Sequence, residues 1–368
     1  MHIEEISVVN FKNLNEVNLG FSPNLNCFIG KNGAGKTNLL DGIYYLSFCK
    51  SFFNPTDQLN INHQENFFML TGHYKRFDSD EKISVGLKSG QKKQFKRNAK
   101  VYKKLQEHIG LLPLVMITPS DVNLILGGGE ERRKFMDGVI SQYNQNYLDD
   151  LLKYNRALLQ RNNLLKQFVT EHYFDEELLS IWDNQLIEYG MRIHLERTKF
   201  VKKLIPVFQH YYSFISQGNE EVGLVHHSDL YEADFEKTLK KALSKDKVVQ
   251  YTTAGIHKDD LVLKIGNYPI KKMGSQGQKK TYLVALKLAQ FDFIKEISGL
   301  KPILLLDDIF DKLDQQRVEQ IVKLVAGEQF GQIFLTDTNR EHLDAIIQKM
   351  EADFRIFNVE AGKVKLMI

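Results

Sequence analysis

Gly30-Lys31-Asn32-Gly33-Ala34-Gly35-Lys36-Thr37 decides the fold of this 368-residue chain. It follows an apolar run, Leu25 to Ile29, and precedes a helical pattern of Leu39, Leu40, Ile43, Tyr44 and Leu46. Every fixed position of GxxxxGK[ST] is matched. The residue types follow from the chemistry. Glycines let backbone N–H groups close around phosphate oxygens, and the helix that follows turns its positive end toward them. A lysine at the position of Lys36 reaches β- and γ-phosphates, and the hydroxyl of Thr37 is suited to ligate Mg²⁺. Gly30, Lys31, Asn32, Gly33, Ala34, Gly35, Lys36 and Thr37 are therefore read as a nucleotide-binding loop, with ATP and Mg²⁺ as expected ligands.

Working outward, the next chemical element lies far downstream. Ile303-Leu304-Leu305-Leu306-Asp307-Asp308 reads as a buried strand ending in two acids. In an open α/β sheet the carboxyl ends of the strands form the ligand edge. Asp307 is expected to hold Mg²⁺, with Thr37, and Asp308 to orient or deprotonate the attacking water. Lys36 and Asp308 are thus the candidate catalytic pair. Between loop and strand stands Gly274-Ser275-Gln276-Gly277-Gln278, ahead of a helix carrying Leu283, Leu286, Ala289 and Phe293. Its bland reading is a helix N-terminus capped by Ser275. It also resembles the ABC signature loop, usually written LSGGQ, and that resemblance implies that Ser275, Gln276, Gly277 and Gln278 face a γ-phosphate held on a second subunit. Lys312-Leu313-Asp314 resembles the D-loop of the same ATPases, while Asp314 also suits the N-cap of the next helix.

Lys36 and Ser275 are 239 residues apart, far more than in transport ATPases. Leu151, Leu158 and Leu165 recur every seven residues there, and a second helix carries Leu178 through Leu204 and is expected to stop near Pro206. Asn155 and Asn162 interrupt the first seam, which favours a packed helical lobe over a long coiled coil. The expected architecture is α/β: a P-loop head of ABC/SMC type with an inserted helical lobe. Residues 1–125 and 248–368 would form the head and residues 126–247 the lobe. Strands are expected at Pro302 to Leu306 and Gln332 to Thr336, with a closing hairpin around Gly362.

Hydrophobic residues make up 43% and charged residues 26%, enough apolar material for sizeable cores. No run approaches a membrane span, the N-terminus lacks a signal-peptide layout, and the two cysteines, Cys27 and Cys49, have no metal-ligand spacing. A cytoplasmic protein without a membrane partner is expected. The net charge of +3 is uninformative, but its distribution is not. From Lys88 to Lys104 there are eight basic residues and no acid, with Phe95 and Tyr102 among them. Two readings stand: a phosphate-tracking surface using Lys92, Lys93, Lys96, Arg97 and Lys100, or a solvated hairpin face.

Across nearly the whole length the blocks resemble the RecF family of bacterial recombination-mediator and gap-repair ATPases. They are Thr118-Pro119-Ser120-Asp121, Glu131-Arg132-Arg133-Lys134-Phe135-Met136-Asp137, Trp182-Asp183-Asn184-Gln185-Leu186, Gly255-Ile256-His257-Lys258-Asp259-Asp260-Leu261 and Ser275-Gln276-Gly277-Gln278. The resemblance implies an SMC-like head, an ATP-dependent homodimer and slow, DNA-stimulated hydrolysis. It also implies DNA binding at single-strand/double-strand junctions, RecR as partner, and RecO in the same pathway of recombinase loading. Ile256 and Lys258 depart from the family's usual Pro and Arg, and Lys keeps the charge without the bidentate fork. Ser120 or Asp121 takes the place of the glutamine usual near the metal, and the γ-phosphate sensor falls in Thr336-Asp337-Thr338. Buried His257 is expected to bond a neighbouring acid, the alternative being a nucleotide or interface contact. A nuclease-linked head, a transport-type ATPase subunit and an ATP-binding scaffold are the competing functions.

Overall fold

The computed structural model describes residues 1–218, 220–231, 234–311, 313–327, 329–338, 340–348 and 353–368, with backbone alone at 340–343. Lys312 of the D-loop-like segment lies outside them. In chain order the elements begin with β1 (His2–Phe11), β2 (Leu14–Gly20), β3 (Leu25–Ile29), α1 (Lys36–Phe48), β4 (Phe67–Arg76), β5 (Ser79–Lys88), β6 (Gln94–Arg97), β7 (Lys100–Val101) and β8 (Leu114–Ile117). There follow α2 (Asn123–Leu126), α3 (Gly129–Ile140), α4 (Gln145–Glu171), α5 (Glu176–Ser216), β9 (Val222–His227), α6 (Phe235–Val249), β10 (Asp260–Ile265), β11 (Tyr268–Pro269) and α7 (Ile270–Met273). The last are α8 (Gln276–Ser298), β12 (Ile303–Asp307), α9 (Gln315–Ala326), β13 (Ile333–Asp337), α10 (Arg340–Ile347), β14 (Phe354–Glu360) and β15 (Lys363–Leu366).

The chain divides into two compact units, one of Met1–Asp121, Tyr211–Asn219 and Ser275–Ile368, the other of Val122–His210 and Glu220–Gly274. The first unit holds two six-stranded sheets. One has the order β2-β1-β4-β5-β6-β7 and is antiparallel; the other, β15-β14-β3-β13-β12-β8, is parallel except at β15. Alternation in the first sheet turns Ile3, Ile6, Val8, Phe68, Leu70, Ile83 and Val85 inward. α1 packs on strands of both sheets, burying Leu39, Leu40, Ile43, Tyr45 and Leu46 in the same core. β8, β12 and β13 are buried at every position and apolar up to the polar residues at the carboxyl ends of β12 and β13, as suits strands covered on both faces. Parallel register matters for function: Thr336 lies opposite Asp307, and Asp337 opposite Ile29. The phosphate loop and the acidic pair therefore leave the same sheet edge.

The expected hairpin around Gly362 exists, but it does more than close the chain. β14 pairs in parallel with β3, so the hairpin completes the central sheet beside the loop-bearing strand. Nothing local in a sequence names a parallel partner more than three hundred residues away.

In the second unit α3 to α6 accompany the antiparallel sheet β11-β10-β9. The expected boundary at 247/248 falls between β9 and β10, which pair from Asp260↔His227 to Ile265↔Val222. Contacts therefore place residues 248–274 with the lobe. α5 does not stop at Pro206; it continues through the proline to Ser216. An interior proline costs about 3 kcal/mol. Beyond it Phe208, Tyr211, Tyr212 and Ile215 are each almost wholly buried, and their burial outweighs the break. Asn162, a polar interruption of the α4 seam, accepts hydrogen bonds from the backbone N–H of Thr252 (2.8 Å) and from its hydroxyl (2.7 Å).

Candidate nucleotide site

β3 ends at Ile29 and α1 begins at Lys36, leaving six residues to form the loop. Two glycines are required by geometry. Gly35 caps α1 with φ of 119°, and a Cβ on Gly30 would lie 2.2 Å from the Val359 carbonyl oxygen. The first is closed to L side chains by conformation and the second by space. The loop is braced from outside the motif as well. Asn13 donates from Nδ2 to the Gly33 carbonyl (3.2 Å) and accepts from Nδ2 of Asn38 (2.8 Å), and the Gly362 N–H donates to the Ala34 carbonyl (2.9 Å). Asn13 carried no local signal in the sequence, and the Gly362 turn was legible only as a closing hairpin, not as a brace of this loop.

Within this frame Lys36 is almost fully buried, and its ammonium donates to the carbonyls of Gly30 (2.8 Å) and Lys31 (3.3 Å). It is folded back over the loop, where an anion would meet it. Thr37 and Asp307, 270 positions apart, meet directly: Thr37 Oγ1 lies 3.0 Å from both carboxylate oxygens. The Thr336 hydroxyl donates to Asp307 Oδ1 at 2.7 Å and accepts from the Asp308 N–H at 3.1 Å. Asp307 is 3% exposed, and burial pushes its pKa above the ordinary carboxylate value despite the two hydroxyls and the charge of Lys36. Asp308 is raised as well, by burial and then by the neighbouring charge of Asp307. These groups fit a hard divalent cation. A hydroxyl and a buried carboxylate converge at oxygen distance, and among the described residues no cationic side chain is ion-paired to Asp307.

The signature-like segment starts α8. Ser275 accepts from the Gln278 N–H (3.1 Å), Gln278 Oε1 accepts from the Ser275 N–H (2.7 Å), and this capping box rigidifies the helix start. Ser275 and Gln276 are exposed, while Gly277 and Gln278 are partly covered. The cap reading of Ser275 is thus realised in a position that leaves it open to a partner. Asp314 likewise caps α9, accepting from the Arg317 N–H at 2.9 Å.

Asp121 does not reach the metal ligands. Its carboxylate is 2.7 Å from Lys287 Nζ and accepts from the Thr118 N–H, also at 2.7 Å, while Ser120 is exposed and bonds Thr118 through its hydroxyl. Within the sensor region the side chain of Thr336 touches the acidic pair. Among the described residues His257 bonds no acid: it meets the Tyr154 hydroxyl (2.8 Å) and the Thr252 carbonyl (3.0 Å), and burial lowers its pKa to about 4. Arg132 pairs with Asp260 at 2.6 Å, and Arg133 donates to the Asp259 carbonyl at 2.6 Å; Glu130 and Glu131 take Lys134 instead.

The basic run divides. Lys93 is 2.8 Å from Asp57 and donates to the Cys49 carbonyl at 2.6 Å, and Arg97 holds nearly buried Glu81 through two nitrogens. Lys92 and Lys100 are exposed and Lys96 half-buried, and among the described residues none of the three has an ion-pair partner.

A phosphate loop whose threonine touches the strand-end acid, on a parallel sheet backed by an antiparallel one, defines a P-loop ATPase head of ABC/SMC type. The RecF/RecN/SMC N-terminal domain family matches residues 2–365. The DNA replication and repair protein RecF of Bacteroides fragilis is 54% identical over 368 residues, covering 100% of this chain and 99% of that protein. RecF of Flavobacterium johnsoniae is 49% identical over 359 residues, covering 98% and 100%. This chain belongs to the RecF family. Among solved structures, the recombination mediator protein RecF bound to ATP, of the RecFOR pathway, matches with a TM-score of 0.89 at 33% identity, covering 100% of this chain and 98% of that one.

Proposed function

We propose that this chain is an ATP-dependent DNA-binding protein of recombinational repair and replication restart. Two copies would join head to tail when ATP binds, each phosphate loop facing the other copy's Ser275 to Gln278, and would hold duplex DNA beside a single-strand gap. In that state it helps load recombinase with RecR and RecO, and slow DNA-stimulated hydrolysis resets it. The observation that carries the reading is the pairing of Thr37 with Asp307 in one part of the unit and an exposed, capped Ser275 in another. The first is a half-site for Mg²⁺-ATP; the second is a helix N-terminus presented outward, suited to an anion. ATP drives closure only by binding the closed pair better than the open one, which a divided site provides.

In this reading Thr37 and Asp307 would hold Mg²⁺, which would neutralise charge on the phosphates, and backbone N–H groups from Gly30 to Gly35 and the Lys36 ammonium would bind their oxygens. Asp308 accepts a proton from the attacking water. Asp314 crosses to the other copy while capping α9. Contacts to DNA go mainly to phosphates, so junction shape matters more than base sequence. The cytoplasm is the proposed compartment; among the described residues no helix is long and apolar enough to cross a membrane.

The test is solution mass with and without ATP and a gapped duplex, comparing wild type with Asp308→Ala and Ser275→Arg. An ATP-dependent dimer that Asp308→Ala prolongs and Ser275→Arg abolishes is expected. A wild-type chain that binds ATP yet stays monomeric throughout removes the divided site.

A further inference from the structure

Asp308 adopts a left-handed backbone conformation, with φ of 44°. A residue with a Cβ seldom takes that conformation, which persists only where neighbours impose it. On one side the imposition comes from Thr336, whose hydroxyl accepts the Asp308 N–H at 3.1 Å and also binds Asp307. On the other it comes from α8. Lys280 Nζ donates to the Asp308 carbonyl at 3.2 Å and to the Asp311 carbonyl at 2.6 Å, bridging the turn that follows the acidic pair.

Lys280 stands five residues after Ser275, on the helix whose first turn is fixed by the capping box. From Thr281 to Phe291 every side chain of α8 is buried, so the helix moves as a rod or not at all. A second cation joins the same elements: Arg317 Nη1 donates to the Thr281 hydroxyl at 3.0 Å while its Nε lies 3.2 Å from Asp314. The start of α8 is thus fastened to the turns that carry Asp308 and Asp314.

We infer that Lys280 is a positioning residue that ties the orientation of Asp308 to the seating of α8, so that a chain's own water-activating acid is set when its signature serine engages phosphate on the partner. The inference rests on the divided-site reading above. In the step concerned the water oxygen bonds to the γ-phosphorus and a water proton passes to Asp308. The bond from phosphorus to the β,γ-bridging oxygen breaks, and its electron pair leaves with ADP. Lys280 touches none of these atoms; it fixes the backbone from which the carboxylate projects.

The experiment uses the full chain with ATP, Mg²⁺ and a gapped duplex, comparing Lys280→Met and Lys280→Arg with wild type, Asp308→Ala and Ser275→Arg. Lys280→Met is expected to lower kcat about 10- to 100-fold, the scale of a misplaced catalytic group, with KM for ATP nearly unchanged. Its ATP-bound dimer should outlast the wild type's, as in Asp308→Ala, and Lys280→Arg should recover most of the rate. The double variant Lys280→Met/Ser275→Arg should hydrolyse no more slowly than the slower single variant, since both cut one link. An unchanged kcat in Lys280→Met overturns the inference, as do multiplicative losses in the double variant or loss of the ATP dimer from Lys280→Met alone. If wild type dimerises and hydrolyses while Lys280→Met does so equally well, only this link fails. A wild type that never dimerises takes the divided site with it.

Discussion

Asp307 in the first unit and Asp259 in the second are nearly equally buried, at 3% and 1% exposure, yet their surroundings are opposite. Asp259 is 2.9 Å from the guanidinium of Arg197, itself buried, and 3.4 Å from His226. Burial pulls its pKa up, but the nearby imidazole and Arg197 outweigh burial and hold it below the ordinary carboxylate value. Asp307 has hydroxyls from Thr37 and Thr336 and a more distant lysine, and burial wins. One carboxylate has its cation built into the chain; the other is held by two hydroxyls, and the cation proposed for it is Mg²⁺. That difference separates a structural ion pair from a candidate site better than burial or residue type does, because a buried charge left unpaired costs several kcal/mol and evolves only where something else repays it.

The sharpest break of this comparison comes from turnover. Asp307→Asn and Asp308→Ala should each lower ATP hydrolysis about 10²- to 10⁴-fold, the contribution of a metal ligand or general base. Without nucleotide and Mg²⁺, Asp307→Asn should melt at the wild-type temperature or above, since it removes a strained buried carboxylate. Asp259→Asn should do the reverse, leaving ATP affinity intact and lowering the melting temperature. Rate measurements beside thermal melts check both, and equal destabilisation by the two asparagines would erase the distinction.

Next in size is the partner of Asp259. Arg197 also holds Asp137 at 2.9 Å, donates to the Tyr147 hydroxyl at 3.1 Å and to the Ile256 carbonyl at 2.7 Å, so one guanidinium satisfies three segments of the lobe. Removing one partner of a buried pair costs about 3–5 kcal/mol, and Arg197→Leu should lower the free energy of unfolding, read from urea melts, by that much. Replacing Arg161, wholly buried beside Asp183 and Asp246, should cost a similar amount. Neither network was announced by the sequence. Arg161 and Arg197 read as ordinary helix residues, and Asp259 lay in a block recognised only by family resemblance. The nucleotide loop could be read because GxxxxGK[ST] states backbone requirements in residue types. So could the strand ending in Asp307-Asp308, because burial on both faces leaves a continuous apolar run. The partners that complete each site come from distant strands, and no local pattern encodes which residue arrives opposite.

Acid should expose a third difference. His108, wholly buried between the Tyr102 hydroxyl and the Leu46 carbonyl, has its pKa pushed down to about 4 by burial, as does His257. The unfolded chain binds those protons near the ordinary histidine value of 6.5 and the folded chain only near 4. The folded state therefore holds fewer protons in this window and loses stability as pH falls from 6.5 toward 4. At about 1.4 kcal/mol per pH unit the loss is on the order of 3 kcal/mol for each ring. Asp259 acts in the same direction lower down, since a depressed carboxylate stabilises above its unfolded pKa and stops doing so as pH falls through the folded one. Urea midpoints flat between pH 7 and pH 5 would contradict the neutral-histidine assignment.

The smallest effect divides the basic run by the same criterion, cations already paired against cations left open. Lys93 and Arg97 neutralise Asp57 and Glu81, so substituting them releases those acids and weakens the sheet edge without removing charge available to a polyanion. Lys92, Lys96 and Lys100 carry the charge that remains to be used. Each phosphate neutralised contributes about 0.9 to the slope of log affinity against log salt, so the triple change Lys92→Gln, Lys96→Gln and Lys100→Gln should lower that slope by about 2 to 3 for duplex DNA. Lys93→Gln with Arg97→Gln should leave the slope alone and lower the melting temperature. Fluorescence titrations over a range of salt, on proteins whose melts are recorded first, separate the outcomes. If the triple variant keeps the wild-type slope, the open lysines belong to a solvated hairpin face and the DNA surface lies elsewhere. If the paired residues change the slope instead, DNA competes for Asp57's and Glu81's cations, and an ion pair within the chain would then be no mark of a structural role on this sheet.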